Sequence, residues 1–195
     1  MKDLEKIITS FGVQEELNPK IWVNPDDAPK SHMKLEIRNQ LEEIAEEFIK
    51  FVNVDMFVQD IIITGSLCNY NWSEYSDVDL HIIVNFDDFG EQKELYIELF
   101  KLKKTLFNSS HNITIKGFEV ELYIQDSNEA HFSSGVYSGM NDEWETVPKK
   151  EEDVNIDKDI LVQKVGQLQD MIDTVIDNAE EEELEDAKQM IKKVK

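Results

Sequence analysis

The sequence predicts an α+β fold: a small mixed β-sheet flanked by helices, followed by a C-terminal helical hairpin. Three observations carry this expectation. Short runs rich in β-branched residues at 58–64 and 77–85 read as strands, the first closed by Gly65-Ser66. Around them lie stretches with apolar residues three and four apart, the spacing of amphipathic helices. The 195 residues, 41% hydrophobic and 9% aromatic, suffice for one domain with a core and a small extension.

Residues 3–10 could form a short helix, and Asn18-Pro19 and Asn24-Pro25 break any continuation. Residues 34–52 read as a helix, with Leu35, Leu41, Ile44, Ala45, Phe48, Ile49 and Val52 inward and acids outward. VQDIIIT, 58–64, is a buried strand; 67–76 is polar and aromatic, too irregular for a core element. DVDLHIIVN, 77–85, alternates: Val78, Leu80, Ile82 and Val84 share one face, Asp77, Asp79, His81 and Ile83 the other. Residues 91–107 form a second helix, with Leu95, Leu99, Leu102 and Leu106 on one stripe. Residues 113–125 alternate around Lys116-Gly117, a hairpin or a bulged strand. Phe118, Val120, Leu122 and Ile124 face one way, Glu119, Glu121 and Tyr123 the other. A turn-rich stretch at 133–148 has the look of a small hairpin. A solvated linker at 149–155 then leads to two acidic helices, 156–179 and 181–194. This organisation places a domain at 1–150 and an acidic helical extension at 151–195.

Acids outnumber bases 42 to 20, a formal net charge of -22, and Arg38 is the lone arginine. Extended nucleic-acid binding needs Lys and Arg against phosphates and is disfavoured; attraction to anionic membranes is disfavoured likewise. A small anion held through a divalent metal is compatible with this charge. The single cysteine, Cys68, excludes an internal disulfide framework, and no histidine spacing suggests a zinc site. The N-terminal stretch lacks the apolar run of a secretory signal, and no run approaches the ~20 residues of a membrane span. The expected compartment is a reducing cytoplasm.

The chemistry concentrates in residues 61–84. Asp77 and Asp79, two apart on a strand, project from one face, where their repulsion calls for a cation or a proton. Mg²⁺ (or Mn²⁺) suits such hard oxygen ligands. Gly65 permits close backbone approach, and Ser66 with exposed N–H groups could grip phosphate oxygens. A phosphate grip beside a metal-binding acid pair is the minimum equipment for moving a phosphorus group.

This set resembles the DNA polymerase beta-like nucleotidyltransferase superfamily. Its pattern is a hydrophobic residue, Gly, Gly or Ser, a spacer, then Asp-hydrophobic-Asp/Glu-hydrophobic. Here it reads Gly65-Ser66, ten residues, then Asp77-Val78-Asp79-Leu80. The whole chain is most similar to predicted nucleotidyltransferases of tailed phages and bacteria, through Leu17-Asn18-Pro19, the motif, and Gly135-Val136-Tyr137-Ser138. The resemblance implies a nucleotidyltransferase-like fold and transfer of an NMP group from an NTP to an acceptor, releasing pyrophosphate. It also implies a third carboxylate on a later strand. Glu121, in Val120-Glu121-Leu122, is preferred because its strand is the more apolar; Glu119, in Phe118-Glu119-Val120, also fits. Asp77, Asp79 and Glu121 would hold two metal ions, and Gly65 and Ser66 the nucleotide. Thr64 departs from the family's hydrophobic residue, and no Lys or Arg lies between Gln59 and Gln92.

Other residues have blander readings beside functional ones. Tyr70, Trp72 and Tyr75 would pack the spacer on the core or stack on a nucleobase. His81 is a strand histidine or a base. Lys101, Lys103 and Lys104 form a solvated face or reach phosphates, Arg38 is structural, and Cys68 lacks an activating partner. The acceptor is open: a protein side chain, an RNA end, a small molecule or a nucleotide. The alternative to an enzyme is a catalytically silent nucleotide-binding or acidic interaction module.

Overall fold

Alternation on the strands and the 3.6-residue period on the helices sort most apolar side chains to one face of the main sheet, with a smaller cluster of Ile62, Ile83 and Val136 on the other. A computed structural model describes residues 13–129, 133–150 and Ile172. The chain divides into two units, Met1–Lys150 and Glu151–Lys195, and every element below belongs to the first. The helices expected at 3–10 and 181–194, most of the linker, and all of the helix expected at 156–179 except Ile172 lie outside the described residues.

A two-stranded ladder comes first, β1 (Trp22–Val23) antiparallel to β2 (His32–Met33). It precedes helix α1 (Leu35–Val52). Then follow β3 (Val58–Thr64), β4 (Val78–Val84), helix α2 (Lys93–Ser110), β5 (Thr114–Ile115), β6 (Phe118–Asp126), β7 (Val136–Ser138) and β8 (Glu143–Thr146). Six strands make one mixed sheet in the order β5-β6-β4-β3-β7-β8. Only β4 and β6 run parallel, joined by a crossover through α2; the other neighbours are antiparallel. Among the described residues no helix is long and apolar enough to cross a membrane.

One face of the sheet, with both helices, forms the core. α1 buries Ile37, Leu41, Ala45, Phe48 and Val52. Its stripe starts at Ile37; Leu35, expected inside, is 61% exposed at the helix start. Asn53 ends the helix in the left-handed conformation, its N–H bonded to the Ile49 carbonyl. α2 differs more. Its buried residues are Phe100 and Phe107, packed with Phe48 and Phe86, whereas Leu95, Leu102 and Leu106 are exposed. The face that turns inward is the one whose rings, Phe100 and Phe107, pack against Phe86 and Phe48.

Lys116 and Gly117, both at positive φ, form a two-residue turn between β5 and β6, so this stretch is a hairpin. β7 and β8 form the second expected hairpin. The spacer at 67–76 is less superficial than its polarity suggests. Leu67, Cys68, Tyr70 and Ser73 are buried, and Trp22 donates its indole N–H to the Leu67 carbonyl at 2.8 Å. Trp22 also packs on Tyr137 and Trp144, tying the first ladder to β7 and β8. Arg38 pairs with Asp142 at 3.4 Å, a structural contact.

Candidate metal centre

The parallel register of β4 and β6 sets Asp79 opposite Glu121 and His81 opposite Tyr123. The antiparallel register of β3 sets Thr64 opposite Asp79, so the chain leaves β3 at the level of that carboxylate. Asp77 immediately precedes β4. Ligand oxygens of Asp77, Asp79 and Glu121 all lie within 4.8 Å of one another, and each residue is half-buried. Glu119 shares the strand face but is exposed, and it pairs with Thr114 at the sheet edge.

Gly65 makes the approach possible. Its φ is +79°, and a Cβ there would stand 2.0 Å from Asp79 Oδ2. Any side chain would displace the carboxylate. Ser66 follows in a single 3₁₀ turn and donates its hydroxyl to Ser76 Oγ at 2.7 Å. Ser76 Oγ also accepts from the Ser73 N–H at 2.9 Å. The ten-residue spacer is thus closed at its base, and this closure delivers Asp77 beside Asp79.

Three acids in partial burial oppose ionisation. Burial, then the charges of Asp77 and Glu121, push Asp79 up to about 6; Tyr123 and Lys104 offset part of this. The Tyr123 hydroxyl donates to Glu121 Oε2 at 2.7 Å. Burial, then that bond, hold the phenol well above its ordinary range. The Tyr123 ring stacks on His81, with centroids 4.6 Å apart. Thr64 Oγ1 and His81 Nε2 lie 3.2 Å apart.

The Lys104 ammonium lies 3.5 Å from the centre of the Tyr123 ring. Burial lowers its pKa, while Glu121 and Asp79 work against that. Sequence reasoning takes Lys101, Lys103 and Lys104 together, as a solvated face or as reaching phosphates. Lys101 is exposed, and Lys103 bonds the Phe51 carbonyl. The separating signal was present: Lys104 falls four residues after Phe100 and three before Phe107, on the buried face.

Tyr70 is buried, Trp72 donates its indole N–H to the Glu16 carbonyl, and only Tyr75, 71% exposed, projects from the spacer. Cys68 is fully buried, and burial raises its thiol well above the ordinary range, which leaves it inert. A cavity of about 280 Å³, lined by Met56, Phe57, Val84 and Phe89 among others, lies at the opposite end of β3 and β4 and holds none of these residues.

The donor set fits a hard divalent cation. It offers three carboxylates, one of them kept from ionising at ordinary carboxylate pH by burial and by its neighbours. No family model matches the chain, and neither a curated protein nor a solved structure is found similar to it.

Proposed function

We propose that the protein is a metal-dependent nucleotidyltransferase on a nucleotidyltransferase-like fold, moving an NMP group from an NTP to an acceptor hydroxyl. One observation carries the reading: three carboxylates converge within 4.8 Å beside a glycine that admits no side chain. The resemblance of Gly65-Ser66 and Asp77-Val78-Asp79 to the polymerase beta-like pattern supports it. Asp77 and Asp79 would hold two Mg²⁺ or Mn²⁺ ions, with Glu121 a further ligand from the β6 side. The bound metal supplies Lewis acidity at the phosphate oxygens and at the attacking hydroxyl. Gly65 leaves room for the Asp79 carboxylate at the end of β3, and the Ser66 hydroxyl would turn from Ser76 to a phosphate oxygen of the triphosphate. Tyr123 holds Glu121 in orientation. The acceptor oxygen forms a bond to the α-phosphorus, the α–β bridge breaks, pyrophosphate leaves, and the hydroxyl proton passes to water.

Scarcity of cations favours a second reading, nucleotide binding without transfer. Lys104 is the one cation that bears on Asp79 among its perturbing groups. Thermal unfolding with Mg²⁺ or Mn²⁺ and each NTP, beside a pyrophosphate-release assay, tests both. A ligand at about a hundred times its dissociation constant stabilises by roughly 2.7 kcal/mol, a rise of several degrees. The expected result is a metal-dependent rise with pyrophosphate release, both lost in Asp77→Asn/Asp79→Asn. A rise without release supports the silent module; no rise with any NTP overturns both.

A further inference from the structure

Resting on that reading, we propose that the acceptor is a small phosphorylated alcohol whose phosphate is held by Lys104. The sheet order decides which substrate meets this lysine. β4 carries the two aspartates in the middle; β3, ending at Gly65, lies on one side and β6, with Glu121 and Tyr123, on the other. Triphosphate seated at Gly65-Ser66 occupies the β3 side. The attacking hydroxyl must then come from the β6 side, where Lys104 stands over the Tyr123 ring.

Lys104 is fixed there rather than waving in solvent. It rises from the packed face of α2, three residues before buried Phe107. One turn further on, Asn108 brackets β6, its amide donating to the Leu122 carbonyl at 3.2 Å and accepting from the Leu122 N–H at 3.3 Å. Among the described residues the Lys104 ammonium forms no salt bridge, whereas Lys93 and Lys116 do. A neutral alcohol makes no use of a positioned ammonium beside the attack site. A phosphate monoester does, because an ammonium and a phosphate form a charge-assisted hydrogen bond. On a chain of net charge -22, a local cation is also what lets an anionic acceptor approach. A single lysine suits one phosphate and not a polynucleotide, which needs a succession of cations along its backbone.

The test uses the full chain with Mg²⁺ and whichever α,β-methylene nucleoside triphosphate raises its unfolding temperature. Ribose 5-phosphate and ribose are titrated calorimetrically into this complex. Lys104→Met keeps the aliphatic stem over Tyr123 and removes the charge; Lys104→Arg keeps the charge. The expected result is that ribose 5-phosphate binds about tenfold more tightly than ribose in the wild type and in Lys104→Arg. That preference disappears in Lys104→Met, while the triphosphate analogue binds as before. Equal binding of the two sugars by the wild type overturns the proposal. So does a Lys104→Met variant that keeps the preference, or one that loses the analogue instead, which would place Lys104 on the triphosphate. Failure of the nucleotidyl reading looks different: no analogue then raises the unfolding temperature of the wild type, and the proposal falls with it.

Discussion

The two faces of β4 obey opposite rules within one strand of seven residues. Val78, Leu80, Ile82 and Val84 are 2%, 0%, 0% and 1% exposed and face the helices. Asp79 and His81, between them, look out half-buried, with Asp77 just ahead of the strand. The inner face makes the sheet stable. The outer face is mixed: Ile83 is buried with Ile62 and Val136, but at the other end of the strand Asp77, Asp79 and Glu121 gather like charge where burial makes it costly, a grouping without benefit to folding. That local conflict is the strongest reason to read the outer face as a site.

Substitutions on the two faces should therefore move stability in opposite directions. Leu80→Ala, in the core, is expected to cost about 2–5 kcal/mol. Asp79→Asn should stabilise the metal-free protein, since it removes one of three facing carboxylates. The pH dependence gives the sign independently. Asp79 is raised from 3.8 to about 6 in the folded protein, with Asp77, Glu121, Tyr123 and Lys104 facing it. The folded state then holds this proton more tightly than the unfolded chain. Its contribution is present below about pH 4 and is lost as pH rises to about 6. Urea unfolding of the metal-free protein at intervals from pH 4 to 7 should show that loss in the wild type and in Leu80→Ala. It should be flattened in Asp79→Asn. An Asp79→Asn variant less stable than wild type at pH 7 would break the comparison.

A sharper contrast lies between two glycines of positive φ. Gly90 has φ +54° and ψ -129° and nothing within 4 Å of a Cβ, so Gly90→Ala costs only backbone strain, about 1–3 kcal/mol. Gly65→Ala adds a clash with the Asp79 carboxylate at 2.0 Å. It should be the more destabilising of the two and should abolish Mn²⁺ binding, which Gly90→Ala leaves intact. Electron paramagnetic resonance of Mn²⁺ reads the difference. Equal Mn²⁺ affinity in the two variants would mean that Gly65 does not shape the site.

The outer face was also the more legible one. Alternation alone put Asp77, Asp79 and His81 together, and the same period put Glu121 and Tyr123 on one side of the later strand. Sequence could not supply the parallel register that sets Asp79 beside Glu121. That pairing depends on a crossover closing over more than thirty intervening residues. The helices show the complementary limit. Periodicity located α2 to within a few residues, yet it gave no means of ranking the leucine stripe against Phe100 and Phe107. With the face of α2 reversed, Lys104 moved from solvent to the site. The ladder of β1 and β2 went unseen because two-residue strands carry no period.

Tyr123 links the two chemistries, since its ring packs between strand and helix while its hydroxyl serves the acids. Tyr123→Phe separates them. Losing one hydrogen bond to Glu121 is expected to change stability by about 1 kcal/mol. Losing the group that orients a metal ligand should weaken Mn²⁺ binding by about tenfold. Titration of the variant with Mn²⁺, beside its unfolding curve, decides the matter: unchanged affinity would leave Glu121 oriented by something else.

The smallest effect belongs to Glu119→Gln, and it decides between two carboxylates that sequence alone left close. Both lie on one strand face, but two residues along a strand separate them by roughly 6.5 Å. Glu121 falls inside the 4.8 Å cluster, and Glu119 falls outside it, exposed where β6 has left β4 and pairs with β5. A surface substitution there should stay within about 0.5 kcal/mol of wild-type stability. Mn²⁺ affinity should be unchanged apart from a slight loss of attraction that salt screens out. Glu121→Gln, one pleat away, should lose the metal at any ionic strength. If Glu119→Gln instead releases Mn²⁺ in high salt, the third ligand is Glu119, and β6 must slide by one pleat against β4 to bring it to Asp79.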